Sequence, residues 1–168
     1  MEIRRLAPAD APAYRALRLR ALREHPEAFT SGYEEDVQQP LPVAEVRLSS
    51  ALQSFWGAFQ GRELYGMVGL ERETRAKNRH KARVVAMYVA PEVAGQGVGR
   101  ALLQSLLAHA RAEGLASLVL TVTEGNAQAQ RLYEAAGFRS FGVEPDAIRV
   151  GGRPHAKNHM HLDLRTTP

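Results

Sequence analysis

Gly95, Gly97 and Gly99 stand at alternate positions between a Val-rich run at 83–89 and the apolar run Ala101-Leu102-Leu103. Alternate glycines at a helix start let a ligand approach the backbone closely. The free N–H groups of the first turn then point at it, with the helix dipole behind them. The ligand chemistry that suits such a turn is a phosphate. A dinucleotide-binding turn would read Gly-x-Gly-x-x-Gly near the start of a βαβ unit, and a nucleoside-triphosphate loop would need Gly-Lys-Ser/Thr. Neither spacing is present here. A glycine-rich helix entry that binds nothing stays open as the plain alternative. His159 and His161 would share a strand face as a ligand pair, but no third ligand stands at a suitable spacing, so no metal is expected.

These residues need elements to hold them. A strand is expected at 2–6, then a helix that begins near Pro8 and ends at Pro26, with Tyr14, Leu17 and Ala21 on one face. A helix at about 41–50 follows. Next comes a hairpin of 54–60 and 63–71 about Gly61, with Phe55, Trp56, Phe59, Leu64, Met67 and Val68 as core. Pro91 ends the strand that leads into the glycine turn. A helix at 101–113 stops at Gly114, and a buried strand spans 118–122. Asn126 suits the N-cap of a last helix and Gly137 its end. A closing hairpin of 138–150 and 153–164 turns at Gly151-Gly152. The order β-α-α-β-β-β-α-β-α-β-β predicts an α/β (α+β) fold, a mixed central sheet with helices on both faces.

The glycine stretch resembles motif A of the GCN5-related N-acetyltransferase (GNAT) family, Gln/Arg-x-x-Gly-x-Gly/Ala. Gly97-Val98-Gly99 match its second half, while Ala94 stands where the family has Gln or Arg. The run Asn126-Ala127-Gln128-Ala129-Gln130-Arg131-Leu132-Tyr133-Glu134-Ala135-Ala136-Gly137-Phe138 resembles motif B, Asn-x-x-Ala-x-x-Leu-Tyr-x-x-x-Gly-Phe. The resemblance implies one N-acetyltransferase domain over 1–168. Acetyl-coenzyme A would be the acyl donor, its pyrophosphate held at Gly95, Gln96, Gly97, Val98, Gly99 and Arg100. Its pantetheine arm would pair like an added strand with Met87, Tyr88 and Val89 and touch Asn126. Tyr133 would protonate the departing thiolate, and a backbone N–H of the strand would polarise the thioester carbonyl.

In the resembled family the segment between the first two helices overhangs the acceptor, which implies Phe29, Tyr33, Glu34 and Glu35 as acceptor-binding residues. An acidic wall there would attract a cationic amine; the same residues also read as a solvated loop. The attacking amine must be neutral. At pH 7 that costs about 4 kcal/mol for a lysine-like amine and about 1 kcal/mol for an α-amine. Thr121 stands where some family members that modify ribosomal proteins have Glu, so no base declares itself; Glu34, Glu35 and Glu71 are candidates.

Composition narrows the classes. The chain has 168 residues, no cysteine and a formal net charge of +4. Without cysteine there is no thiol to carry an acyl intermediate, so transfer would run directly from thioester to amine. No apolar run is long enough to span a membrane and the N-terminus is no signal peptide, which predicts a cytoplasmic protein with no membrane partner. The charge suits an anionic coenzyme but is too small to argue for nucleic acid by itself, so no nucleic-acid partner is expected. A homodimer is compatible with it. Arg75, Lys77, Arg79, Lys81 and Arg83 alternate and would share a face if extended, meeting solvent, an acidic partner or the coenzyme's 3′-phosphate. Two further classes remain: a non-catalytic acyl-coenzyme A sensor, which would need no Tyr133, and a basic nucleic-acid-binding module.

Overall fold

The computed structural model describes residues 1–165. Strand β1 (Glu2–Arg5) leads into a 3₁₀ turn at Pro8–Asp10 and helix α1 (Ala11–Glu24). Pro8 and Pro12 fall where N–H groups have no helical partner, so both are tolerated. Arg4 donates to both oxygens of Asp10, at 2.9 and 2.8 Å, and so ties β1 to the start of α1. A short helix α2 (Tyr33–Asp36), which the sequence pattern does not announce, and α3 (Leu41–Ser49) follow. Then come β2 (Gln53–Gln60), β3 (Glu63–Arg72), β4 (Lys81–Val89), α4 (Val98–Ala112), β5 (Ser117–Thr123), α5 (Ala127–Ala135), β6 (Arg139–Val150) and β7 (Arg153–Asp163).

The strands form one sheet in the order β1-β2-β3-β4-β5-β7-β6. Only the β4–β5 pair is parallel. One core lies between the sheet and α4 and α5; it includes Val84, Leu102, Leu106, Leu120, Tyr133 and Met160. The other lies between the sheet and α1 and α3, with Tyr14, Leu17, Phe55, Phe59, Met67 and Tyr88. The expected core residues of the β2–β3 hairpin are all buried. Helix α4 buries Val98, Leu102, Leu103, Leu106, Leu107 and Ala110, the three-and-four spacing of an amphipathic helix.

Strand β4 is irregular on both edges. It pairs with β5 only at Lys81↔Ser117, Ala82↔Leu118 and Arg83↔Val119, and beyond Arg83 the two strands part. On its other edge, Val85 opposes Gly69 and Tyr88 opposes Met67, so Ala86 and Met87 together face Val68. This is a β-bulge, and Ala86 takes φ 57° within it.

Candidate functional site

The gap between β4 and β5 is a break in a sheet, so one edge of β4 has backbone groups without strand partners there. The N–H of Ala90 donates to the carbonyl of Tyr65 on β3 at 2.7 Å. Backbone direction alternates along a strand, so Met87 and Val89 turn their N–H and C=O groups into the gap, while Tyr88 turns its own toward β3. An extended ligand could pair with Met87 and Val89 as a further strand would.

At the gap's wide end the chain turns through a 3₁₀ segment, Pro91–Val93, into the glycines. Gly95 and Gly97 both hold φ +76°, and a Cβ on either would meet nothing within 4 Å. The space before them is therefore open, and the backbone conformation is one that side chains rarely adopt. Gly97 is the N-cap of α4, so the helix begins at Val98, earlier than the apolar run alone indicates. Buried Val98 anchors that first turn. A Cβ on Gly99 would stand 3.3 Å from Leu132 and 3.7 Å from Val89, which places Gly99 against α5 and β4 rather than against open space. The first-turn N–H groups of α4 have no helical acceptors and suit an anion. Arg100, in that turn, is exposed.

A cavity of about 390 Å³ continues the gap on the α1 and α3 side of the sheet. Val84 to Met87 of β4 and Thr121 to Thr123 of β5 form its floor. Asn126, Ala129 and Tyr133 close the end nearest α5, and Phe29 to Ser31 cover it. The hydroxyl of Thr123 donates to the carbonyl of Glu27 at 2.7 Å, and Lys157 donates to the hydroxyl of Thr30, so the covering segment is tied to β5 and β7.

Tyr133 is 6% exposed, with its ring edge-on to Phe138 at 5.8 Å. Among the described residues no group bonds its hydroxyl. Burial pushes the phenol above its ordinary value, because the phenolate would lose its hydration. Asn126 accepts from the N–H of Ala129 at 3.2 Å through Oδ1, so its Nδ2 is what it can offer a ligand in the cavity. Glu71 is the one carboxylate on the lining among the described residues, and it accepts from Gln53 at 2.9 Å. Four cations line the same cavity: Arg18, Arg47, Arg83 and Lys157. A second cavity, of about 420 Å³, shares Gln53, Glu71 and Arg83 with the first and continues beyond the end of β3.

Comparison with known proteins bears on this arrangement. The profile of the acetyltransferase (GNAT) family matches residues 15–138. The chain belongs to the GNAT acetyltransferase family. It is 31% identical over 144 residues to a mycothiol acetyltransferase of Thermobispora bispora, covering 80% of this chain and 45% of that protein. It is also 35% identical over 82 residues to an L-methionine sulfoximine/L-methionine sulfone acetyltransferase of Pseudomonas aeruginosa, covering 49% and 48% of the two chains. The chain thus spans less than half the length of these relatives. Among solved structures, a GNAT acetyltransferase of Streptococcus pneumoniae superposes with a TM-score of 0.88, at 24% identity, over 96% of this chain and 98% of that one. An acetyltransferase of Salmonella typhimurium, solved with its cofactor acetyl-CoA, gives 0.82 at 24% identity over 100% and 96%. These two likenesses bear on the GNAT fold alone.

Within this GNAT fold, Met87, Asn126, Tyr133 and Phe29 are brought together on one cavity. Val89 lies further along the same edge of β4, toward the glycine turn. Tyr88 faces the other way: its ring lies in the α1 core and its hydroxyl donates to Glu24 at 2.9 Å. Tyr33, Glu34 and Glu35 do not line the cavity. They form α2, where Glu34 and Glu35 are exposed and Arg23 stands over the Tyr33 ring at 5.8 Å. The basic run does not make one face, because 75–80 is a turn. That turn stands at the opposite end of β4 from the glycines, and of its alternating cations only Arg83 lines the cavity. His159 and His161 do share a strand face, with His159 bonded to Glu144 at 2.8 Å. Arg18, Arg47, Gln53 and Lys157 escape the sequence reading, since they lie on four different elements and only the tertiary fold collects them.

Proposed function

We propose that the protein is an acetyl-coenzyme A-dependent N-acetyltransferase, working as one domain, that moves an acetyl group directly to a primary amine. The observation that carries this reading is the continuity of three features: the open glycine turn at the start of α4, the unpaired edge of β4, and a cavity where Tyr133 meets that edge. The residues present suit acetyl-coenzyme A. Gly95 and Gly97 leave room where side chains would stand, and the N–H groups of the first turn of α4 suit a pyrophosphate. Met87 and Val89 suit the amides of a pantetheine arm, with Asn126 beside it. When bound, the coenzyme supplies an acetyl thioester.

The chain's own residues would do the rest. The bulge at Ala86 turns β4 so that a backbone N–H beside the gap can polarise a carbonyl, an oxyanion-hole role. Tyr133, kept neutral by burial, holds a proton where a thiolate would depart. Glu71 is placed to attract the acceptor's ammonium and, through water, to take its proton. Glu34 and Glu35, on α2, are not among the residues that line the cavity. The reading goes with a cytoplasmic location and asks for no metal.

The test is a screen of primary amines for free-thiol release from acetyl-coenzyme A, beside calorimetry of coenzyme binding. Coenzyme binding with thiol release that depends on an amine supports the reading. Failure of the coenzyme to bind overturns it, and tight binding without transfer to any amine leaves the sensor in its place.

A further inference from the structure

Among the described residues, the cavity's lining carries more positive charge than its one carboxylate, Glu71, balances. Arg18 is spent: its Nε donates to Asp36 at 2.6 Å and an Nη donates to Ser31 at 3.0 Å. Arg47 is different. It reaches in from α3, partly buried, and makes one long hydrogen bond to the Tyr14 hydroxyl at 3.3 Å, while, among the described residues, Asp36 and Glu71 attract it through space without a hydrogen bond or ion pair to it. A partly buried guanidinium with five donors and no carboxylate in hydrogen-bond contact is costly unless something else meets it. Arg83, directly across the ladder from Glu71, makes no hydrogen bond or ion pair among the described residues. Lys157 bonds the neutral hydroxyl of Thr30; burial lowers its pKa, Glu144 opposite it on β6 offsets part of that, and Arg83 lowers it to a smaller degree.

We infer that the acceptor is an amine that carries a carboxylate, an α-amino acid or a close analogue, whose carboxylate is bound by Arg47 and Arg83 while its amine lies toward Glu71 and the β4 edge. The inference rests on the transferase reading above. Guanidinium forks match carboxylate geometry and form the stronger class of hydrogen bond, which a lone ammonium acceptor could not use. A purely cationic acceptor such as a polyamine would enter a cavity whose lining, among the described residues, sets Arg47, Arg83 and Lys157 against the one carboxylate of Glu71. The Glu34–Glu35 pair, which would favour such a cation, does not face the cavity. The place of the enzyme among reactions follows: its product is an N-acetylamino acid, with the amine's charge removed and the carboxylate's kept.

The experiment compares matched acceptors. L-Methionine sulfone and a panel of L-α-amino acids are each assayed beside their carboxamides and decarboxylated amines, by thiol release from acetyl-coenzyme A. The carboxamide has the more acidic ammonium and so more neutral amine at pH 7; intrinsic reactivity therefore favours it, and a preference for the acid must come from binding. The expected result is kcat/KM at least tenfold higher for the acid form. Arg83→Gln and Arg47→Gln should each remove most of that preference while coenzyme affinity and thermal unfolding stay unchanged. Arg83→Gln is on an exposed strand position and guards against loss of folding at Arg47. Equal or better turnover of the carboxamides overturns the inference, and so does a preference that survives both variants. If no amine is acetylated, the transferase reading falls by itself. The carboxylate site is then scored by calorimetry of N-acetyl-L-methionine sulfone on the protein with coenzyme A: binding lost in Arg83→Gln supports it, and no binding overturns it.

Discussion

Under the proposed function Tyr133 has two duties, and substitution separates them. It is the one buried side chain of α5, so its ring holds that helix on the sheet. Its hydroxyl has no protein partner among the described residues, so removing it strands no other group. Tyr133→Phe is expected to keep the unfolding temperature and the coenzyme affinity and to lower kcat by roughly 10²–10⁴-fold, read by thiol release at saturating amine. Tyr133→Ala should cost about 3 kcal/mol in stability from the lost ring. Burial raises the folded phenol's pKa above the unfolded value, so its protonated form persists at every lower pH. The stability that goes with burying it neutral is present below about pH 10 and is lost as pH rises further. Activity should accordingly show no alkaline fall from this group below about pH 10, and a pH profile of kcat checks it. At Gly97 the argument is conformational. Gly97→Ala adds no clash but forces alanine to φ +76°, a strain of about 1–2 kcal/mol. Calorimetry should show weaker coenzyme binding. Gly99→Val would instead collide with Leu132, and a drop in stability would accompany any loss of binding.

At the scale of elements, the glycine turn is braced from α1. Arg20 donates to Glu24 at 2.8 Å and to both oxygens of Glu92, at 2.8 and 2.9 Å, and Glu24 accepts from Tyr88. Glu92 lies in the 3₁₀ segment just before the glycines. Arg20→Gln is therefore expected to raise the KM for coenzyme by roughly two- to fivefold with kcat unchanged, since exposed pairs are worth little and screened by salt. Steady-state kinetics at low and high salt would separate the two contributions. Most elements were legible because their signals are local. Pro91 ends β4, Asn126 caps α5 through Ala129, and the β2–β3 hairpin is two apolar runs that turn at Gly61, buried on both faces. The short α2 was not, because its bonds, Asp36 N–H to Gly32 at 3.0 Å and Val37 N–H to Tyr33 at 2.8 Å, lie in a run with no apolar period. The glycine turn and the Asn126 cap were legible for the same local reason: motif residues are close in sequence. The cavity draws on α1, α3, β3, β4 and β7 at once, and no spacing in the chain announces that Arg47 and Lys157 line it together.

Taken whole, the molecule is two half-sheets, β1 to β4 and β5 to β6, joined in the ladder by three residue pairs and bridged by α4 and α5. No helix among the described residues is long and apolar enough to cross a membrane. A ligand that pairs with both sides of the gap adds its binding energy to the folded state alone. Coenzyme at a hundred times its dissociation constant should stabilise the fold by about 2.7 kcal/mol, seen as a rise in unfolding temperature. The parted strands also write a pattern into solvent exchange of the backbone. Met87 and Val89 turn their amide hydrogens into the gap, while Ala90 already spends its own on Tyr65. Deuterium should therefore enter at alternate residues along one strand, quickly at Met87 and Val89 and slowly at Ala90, and coenzyme should erase the alternation by slowing the fast pair.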